Sequence, residues 1–451
     1  MTNVHIGCGA GFAGDRFDAS LPVIAALSRH DGPRYLMFEV LAERTLALAQ
    51  QIRQRDPDLG YSPYLDQYLS RALGPAMEAG VRIVSNMGAA NPLGAARRAQ
   101  ALAGKLGLRV PKIAVVTGDD LTSVMTEEEI RTAPTMEGTD LGARPLIAAN
   151  AYLGARAVAD ALATDADMVL VGRTTDSALA LGPLIHEFGW RSDDWDRLGA
   201  GVIAGHLLEC GAQVAGAYFA DPGFKDVPDL ARVGFPIAEV AADGNMTITK
   251  PQGTGGCVTK ATVTEQVLYE MHDPACYVTP DVAADITRTQ LCDSGADRVD
   301  VSDVRGHPAP DRLKATICVE NGWMGEAEIS YAGPNALSRA RLAGEVVVER
   351  LAMQGVNQSP RVEVIGAGSV LTGGTRADAP TDGDYRTRVA MLSETREGAQ
   401  MVADEVLSLL CSGPAAGGGV RSHVTPQVAT ASILVPREQI EAGIEIIEVY
   451  P

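Results

Sequence analysis

Short apolar runs alternate with helical patterns through the first half of the chain. VHI precedes SLPVIAALS, YLMF precedes LAERTLALAQQI, and RIVS precedes PLGAARRAQALAGKL. KIAVV follows, then an IAANAYLGA helix, MVLVG and SALALGPLIHEF. Strand followed by helix at this rhythm implies parallel pairing with right-handed crossovers, so the pattern predicts a doubly wound, mainly parallel α/β sheet. Asn91-Pro92 fits an N-cap followed by proline at the first helical position. The pattern changes near Asp221-Pro222-Gly223. Hairpin-like alternation then appears in RVDVSDVRG, KATICVENGWMGEAEISYAG and RVEVIGAGSVLTGG, with helices expected near Val263 to Met271, Ala336 to Met353 and Gly398 to Leu410. The expected organisation is a Rossmann-like domain over 1–235 and an α+β domain over 236–451. The AAGGG patch at 415–419 is expected to be a mobile loop.

Composition narrows the function classes. The 451 residues are long enough for two domains, with 46% apolar and 21% charged residues, as in a globular enzyme. A formal charge of -19 without a basic tract disfavours nucleic acid. Seven scattered cysteines without a CxxC pair suit a reduced, cytoplasmic protein. No stretch has the length or flanks of a secretion signal or membrane span. Ala- and Gly-rich helices favour packing into an oligomer.

The candidate chemistry lies in three places. Gly9, Gly11 and Gly14 have the dinucleotide spacing, follow a strand, and have Glu39 at the end of the next strand where a ribose-binding acid is expected. Asp15, Arg16 and Asp18 argue against a pyrophosphate there, because carboxylates would meet it. A glycine turn lining another ligand, or a structural turn, uses the same residues.

In a doubly wound sheet, ligands lie outside the carboxyl ends of the strands. Those ends collect Gly9 to Gly14, Glu39, Asn86 to Asn91, Asp119-Asp120 and Gly172 to Asp176. Glu39 and Asp176 are the expected acid and base, Arg173 a carboxylate clamp, and Asn86 and Asn91 polarising groups. Capping and turn formation are the competing uses, Asp176 as an N-cap above all.

The third place is the loop Lys250 to Lys260. Gly253, Gly255 and Gly256 with Lys260 suggest an anion site at a helix N-terminus, for a carboxylate or the phosphates of a thioester cofactor, or else a structural crossover. Thr262-x-x-Glu265 is taken as the capping box of the helix. The GK[ST] ending of an ATP-binding loop is absent. His206, Glu209 and Cys210 share one helix face, a conceivable ligand set without a second cluster, so no metal is expected.

Seven blocks, YLMFEVLAERT, RIVSNMGAANP, ANAYLGA, VGRTTDSALALGPLIHEFGW, AGHLLECGAQVAGAYFADP, KPQGTGGCVTKATVTEQVLYEMHDP and GEAEISYAGPNALSRARLA, resemble the AtuA family, named for acyclic terpene utilisation. The resemblance implies catabolism of branched terpenoid acids through acyl-CoA intermediates and supplies no catalytic residues to carry over. Longer members resembling this chain continue into a ferredoxin-like extension of about a hundred residues, which implies a separate small subunit here. Lys260 stands where the family pattern has a small apolar residue, which points to a different anionic substrate.

These readings predict a small-molecule enzyme, a hydro-lyase or isomerase acting on a branched or hydroxylated carboxylic acid or its CoA thioester, with no obligatory cofactor. The alternatives are an NAD(P)-dependent oxidoreductase and a non-catalytic subunit of an acyl-CoA-processing complex.

Overall fold

A computed structural model describes residues 2–370 and 380–447. It is mixed α/β and divides into two compact units, one of residues 1–142, 146–318 and 430–451, the other of 143–145 and 319–429. The boundary expected at 235 therefore falls inside the first unit, because the strands that follow it pair into the same sheet.

In chain order the first unit begins with β1 (Val4–Ala10), α1 (Ser20–Leu27), β2 (Arg34–Phe38), α2 (Glu43–Arg55), α3 (Leu65–Glu78), β3 (Arg82–Ser85) and α4 (Pro92–Lys105). It continues with β4 (Ile113–Thr117), α5 (Glu127–Thr132), β5 (Leu146–Ala151), α6 (Ala155–Leu162), β6 (Met168–Val171), α7 (Ala178–Phe188) and α8 (Trp195–Glu209). Next come β7 (Ile237–Val240), β8 (Met246–Thr249), α9 (Lys260–Leu268), β9 (Tyr277–Val278), β10 (Ala283–Asp285), β11 (Gln290–Gly295), β12 (Arg298–Ser302) and β13 (Arg305–His307). The long strand β14 (Arg312–Gly333) carries the chain into the second unit through α10 (Ala336–Met353), β15 (Arg361–Ile365), β16 (Gly383–Ser393) and α11 (Arg396–Ser412). β17 (Gly418–Pro436) returns it, and β18 (Gly443–Ile447) closes the large sheet.

That sheet has ten strands in the order β11-β12-β8-β7-β1-β2-β3-β6-β4-β18. Its centre, β1-β2-β3-β6-β4, is parallel. The flanking pairs are antiparallel. All seven residues of β1 are buried, as expected for a strand covered on both faces, where apolar residues need not alternate. Asn91 caps α4 as expected, its side chain accepting from the Gly94 amide at 2.9 Å.

Two local expectations are corrected. Residues 146–151 of the Ala- and Asn-rich stretch are strand β5, paired with β14, and the helix starts only at Ala155, where the Asp281 carboxylate accepts its first amide. Tertiary pairing overrides the helical propensity of alanine there. Gly322 lies within β14, where it takes φ +72° and a Cβ would stand 2.3 Å from the Ser393 carbonyl. The AAGGG patch is a turn leading into β17, whose first residues are Gly418 and Gly419.

The second unit has β-α-β-β-α-β order with strands β15-β16-β14-β17, a ferredoxin-like arrangement. Tyr385, Thr387, Val389 and Met391 of β16 are buried, whereas Arg388 faces outward between Glu326 and Glu363 at 2.8 and 2.9 Å.

Candidate functional site

The carboxyl ends of β2, β3, β4 and β6 bring Glu39, Asn86, Asp119 and Arg173 to one edge of the first unit. Asn86 ties two of them together. Its Oδ1 accepts the Val40 amide at 2.8 Å, and its Nδ2 donates to Glu39 Oε1 at 2.8 Å. That amide is therefore a clamp between strand ends rather than a free polarising group. Asn91 does not join the cluster, since its Nδ2 donates to the Pro57 and Leu59 carbonyls while its oxygen caps α4.

Arg173 is the hub, 1% exposed. Nε and Nη2 donate to the Thr174 carbonyl at 2.8 and 2.5 Å, Nη1 to the Leu41 carbonyl at 2.6 Å, and Nη2 also to Asp176. Its guanidinium lies 4.5 Å from the centre of the Tyr152 ring. With so few of its five N–H groups left, Arg173 serves as a fixed counter-charge more than as a clamp for a substrate carboxylate. Burial opposes that charge, yet the surrounding carboxylates and Tyr152 hold the group more firmly cationic than usual.

Asp176 is the member that meets solvent, its side chain 40% exposed against the buried Arg173. Crowding by protein raises its pKa to about 6 against the pull of Arg173, and the Glu209 charge adds to the rise. It caps nothing: α7 begins at Ala178 behind Ser177, without a side-chain cap. Glu39 is buried, and burial followed by the Asp176 charge pushes its pKa well above the carboxylate range despite Arg173, Asn86 and the Leu41 amide. Asp119, also buried, accepts from the Arg173 amide and Asn150 Nδ2, both at 2.9 Å, and burial raises it to about 6.

Three further residues complete the cluster. Tyr152 donates to Glu43 at the start of α2, and Lys314 of β14 stands 3.5 Å from Glu43 and 4.9 Å from the centre of the Tyr152 ring. Burial works against the Glu43 charge, but the Tyr152 hydroxyl and nearby cations win and lower its pKa. Lys314, 43% exposed, is the accessible cation here. Tyr152 and Lys314 escape sequence reading because β5 resembles a helix, which hides its pairing with β14. The signal was present in the alternation of KATICVE.

The first glycine loop is packed rather than open. A Cβ at Gly9 would meet the Phe38 ring at 2.6 Å, and one at Gly11 the Gly211 amide nitrogen at 2.3 Å. The Gly11 amide donates to Asp15 Oδ2 at 2.9 Å, and α1 starts six residues after Gly14, itself at φ +92°. The amide that a pyrophosphate would approach is thus held by the chain's own carboxylate.

The second glycine loop is likewise satisfied. The Gly255 amide donates to the Arg232 carbonyl and that of Gly256 to the Pro228 carbonyl, both at 2.7 Å. Gly253, at φ +81°, forms the turn. Lys250, 3% exposed, pairs with Asp297 at 3.0 Å, and Asp297 and Asp293 accept the Val258 and Lys260 amides at 3.0 and 2.8 Å. Two aspartates thus occupy the anion positions at the start of α9. Thr259 and Thr262 form its capping box, one turn ahead of the expected Thr262 and Glu265. The exposed Lys260 side chain borders an open cleft of about 1200 Å³ that Phe219, Phe224, Lys225, Leu268 and Tyr269 also line.

His206 and Glu209 meet directly, Nδ1 to Oε1 at 2.8 Å. Among the described residues the one cluster with metal-ligand spacing is His5, His30 and Glu239, whose ligand atoms lie within 4.8 Å of one another. The Glu239 carboxylate is already held by Arg298 at 2.7 and 3.0 Å, and the two imidazoles are stacked. No helix among the described residues is long and apolar enough to cross a membrane.

The family model of the acyclic terpene utilisation family protein AtuA matches residues 4–446. No curated protein and no solved structure matches the chain. A match over nearly the whole length settles the membership: the chain belongs to the AtuA family.

Proposed function

We propose that the strand-end cluster is an acid–base active site acting on a branched or hydroxylated carboxylic acid, free or as its CoA thioester, in a hydro-lyase or isomerase reaction. The observation that carries this reading is the grouping of carboxylates at the strand ends, with solvent-facing Asp176 bonded to buried Arg173 and with Glu39 and Asp119 buried beside them. Glu39 behind it retains a proton, Arg173 fixes the charge balance, and Lys314 offers an accessible positive charge for a substrate carboxylate. In the forward direction of a dehydration, one carboxylate removes a C–H proton. The electron pair forms the double bond, and the hydroxyl leaves as water with a proton from the second carboxylate.

The wider reading includes a doubly wound parallel centre. It is supported by α1 and α4 packing on central strands as one group of helices and α6, α7 and α8 as another. A cytoplasmic location is supported by seven free cysteines. An oligomeric state and a separate small ferredoxin-like partner rest on sequence character and family resemblance alone. The nicotinamide alternative has less support, because the Gly11 amide is bound to Asp15.

The test is turnover of a panel of branched and hydroxylated acids and their CoA thioesters, followed by water addition or loss. Glu39→Gln and Asp176→Asn are each expected to lower kcat by about 100-fold or more. Full activity in both variants overturns the assignment.

A further inference from the structure

Ala- and Gly-rich helices favour an oligomer without saying where two copies would meet, and one surface of the first unit supplies a place. Tyr218 and Phe224, 79% and 88% exposed, are the two most exposed aromatic side chains among the described residues. They do not stand alone. Tyr218 meets Tyr269 edge-on with ring centres 6.2 Å apart, and Phe224 lines the open cleft of about 1200 Å³ together with Phe219, Leu268 and Tyr269. Isolated apolar side chains are ordinary at a surface, whereas a contiguous aromatic patch marks a place that another molecule covers.

The backbone holds these rings outward. The Phe219 amide donates to the Ala217 carbonyl at 2.7 Å, closing a three-residue turn about Tyr218, which takes φ +61° in the left-handed region that residues other than glycine seldom adopt. Asp221 and Lys225 exchange backbone hydrogen bonds at 3.0 and 2.7 Å, and Gly223 at φ +85° turns the loop between them, so Phe224 is presented on a closed loop. Such a loop loses little freedom on binding. Another wall of the cleft is α9, which buries Val263, Gln266 and Val267 and turns Ala261, Thr264 and Leu268 to the cleft, at the i, i+3, i+7 spacing of one helix face. Charges of both signs border this surface. Lys225 lies 4.7 Å from the centre of the Phe219 ring and pairs with Glu265 at 2.5 Å, while Lys260, Glu270 and Asp293 stand along the same cleft. Three carboxylates against two lysines disfavour an anionic small molecule. The mixture is complementary to itself, so a copy turned about a twofold axis can set lysines against carboxylates. Chains of net charge -19 repel one another on average, and a patch near charge balance is where two copies can approach.

We propose that this patch is the contact between two copies of the chain, in which the Phe224 loop of each copy seats in the cleft of the other, against Ala261 and Leu268. The rings form the apolar centre of an isologous contact, and Lys225, Glu265, Glu270 and Asp293 form its charged rim. The inference stands apart from the acid–base reading of the strand-end cluster and does not depend on it.

The test is the mass of the full chain by analytical ultracentrifugation across the micromolar range. The wild type should sediment as two chains, and Phe224→Ser and Leu268→Glu should each weaken the dimer about tenfold or more. Both side chains are more than half exposed in the single chain, so the variants should fold, which far-ultraviolet circular dichroism verifies. Tyr218→Gly removes a ring while keeping the turn that its positive φ requires, and should weaken the dimer as well. Met136→Ser, which removes an apolar side chain 60% exposed outside the cleft, should leave the mass unchanged. A wild type of single-chain mass throughout overturns the inference, as does a dimer indifferent to Phe224→Ser and Leu268→Glu, or one that Met136→Ser dissociates equally. Hydrogen exchange over 218–225 that slows only on adding a carboxylic acid, at single-chain mass, would give the cleft to a small ligand and overturn the inference too.

Discussion

Two glycine- and charge-rich regions of the first unit looked alike as ligand sites, and they differ in what their polar groups are already doing. At the loop before α9, Lys250 is matched by Asp297, and the first amides of the helix are matched by Asp293, Asp297 and Thr262. At the strand-end cluster the accounts do not close in the same way. Glu39, Asp119 and Asp176 surround the single buried cation Arg173, and burial leaves all three with raised pKa values. A region whose hydrogen bonds and charges are matched internally holds the fold. An excess of buried carboxylates over cations stores protons, which is what acid–base chemistry requires.

The comparison breaks most sharply at Arg173. Arg173→Ala would leave the Leu41 and Thr174 carbonyls without their donor and the adjacent carboxylates without a counter-charge, so a loss of about 3–5 kcal/mol is expected from urea denaturation at neutral pH. The loss should shrink in mild acid, where Asp176 and Asp119 are protonated. A cost under about 1 kcal/mol would mean that Arg173 is not the hub.

A second, smaller effect separates the regions by pH. Asp119 has a pKa of about 6 in the folded chain against an ordinary 3.8, so between those values the folded state binds more protons than the unfolded one. Stability contributed by this group is therefore present at low pH and lost as pH rises through about 6, by an amount on the order of 3 kcal/mol. Asp119→Asn should flatten that part of the profile. His5 acts with the opposite sign in an overlapping window, since burial lowers its pKa from 6.5 to about 4 and the unfolded state then binds more protons. The difference between wild type and variant at each pH, read from urea midpoints, isolates Asp119. An unchanged difference across this window would contradict the buried-acid picture.

Much of the site's skeleton was legible in the sequence. The ends of β2, β3, β4 and β6 could be located from apolar runs, and Glu39, Asn86, Asp119 and Arg173 stand there. The pairing state of each side chain was not legible, because it depends on partners distant in sequence. Asn86 is consumed by Val40 and Glu39, Asn91 by Pro57 and Leu59, and the Val258 and Lys260 amides by aspartates more than thirty residues away. The same limit hid the antiparallel flanks of the large sheet. β7 pairs with β1 across more than two hundred residues, and β18 adds to β4 from the far end of the chain. Tyr152 was misplaced for a local reason, since alanine-rich β5 carries a helical composition and becomes a strand only through β14.

The smallest expected effect sharpens the comparison from the other side. Lys260 is exposed, and its structural contribution is the backbone amide that Asp293 accepts, which Lys260→Ala retains. The variant should match the wild-type urea midpoint to within about 0.5 kcal/mol. It should also bind CoA as the wild type does, because Asp293 and Asp297 already fill the anion positions at the start of α9. A CoA affinity that falls several-fold in Lys260→Ala and weakens with added salt would restore a ligand role to this loop. The matched charges at its base would then be a scaffold for a cation displayed above them.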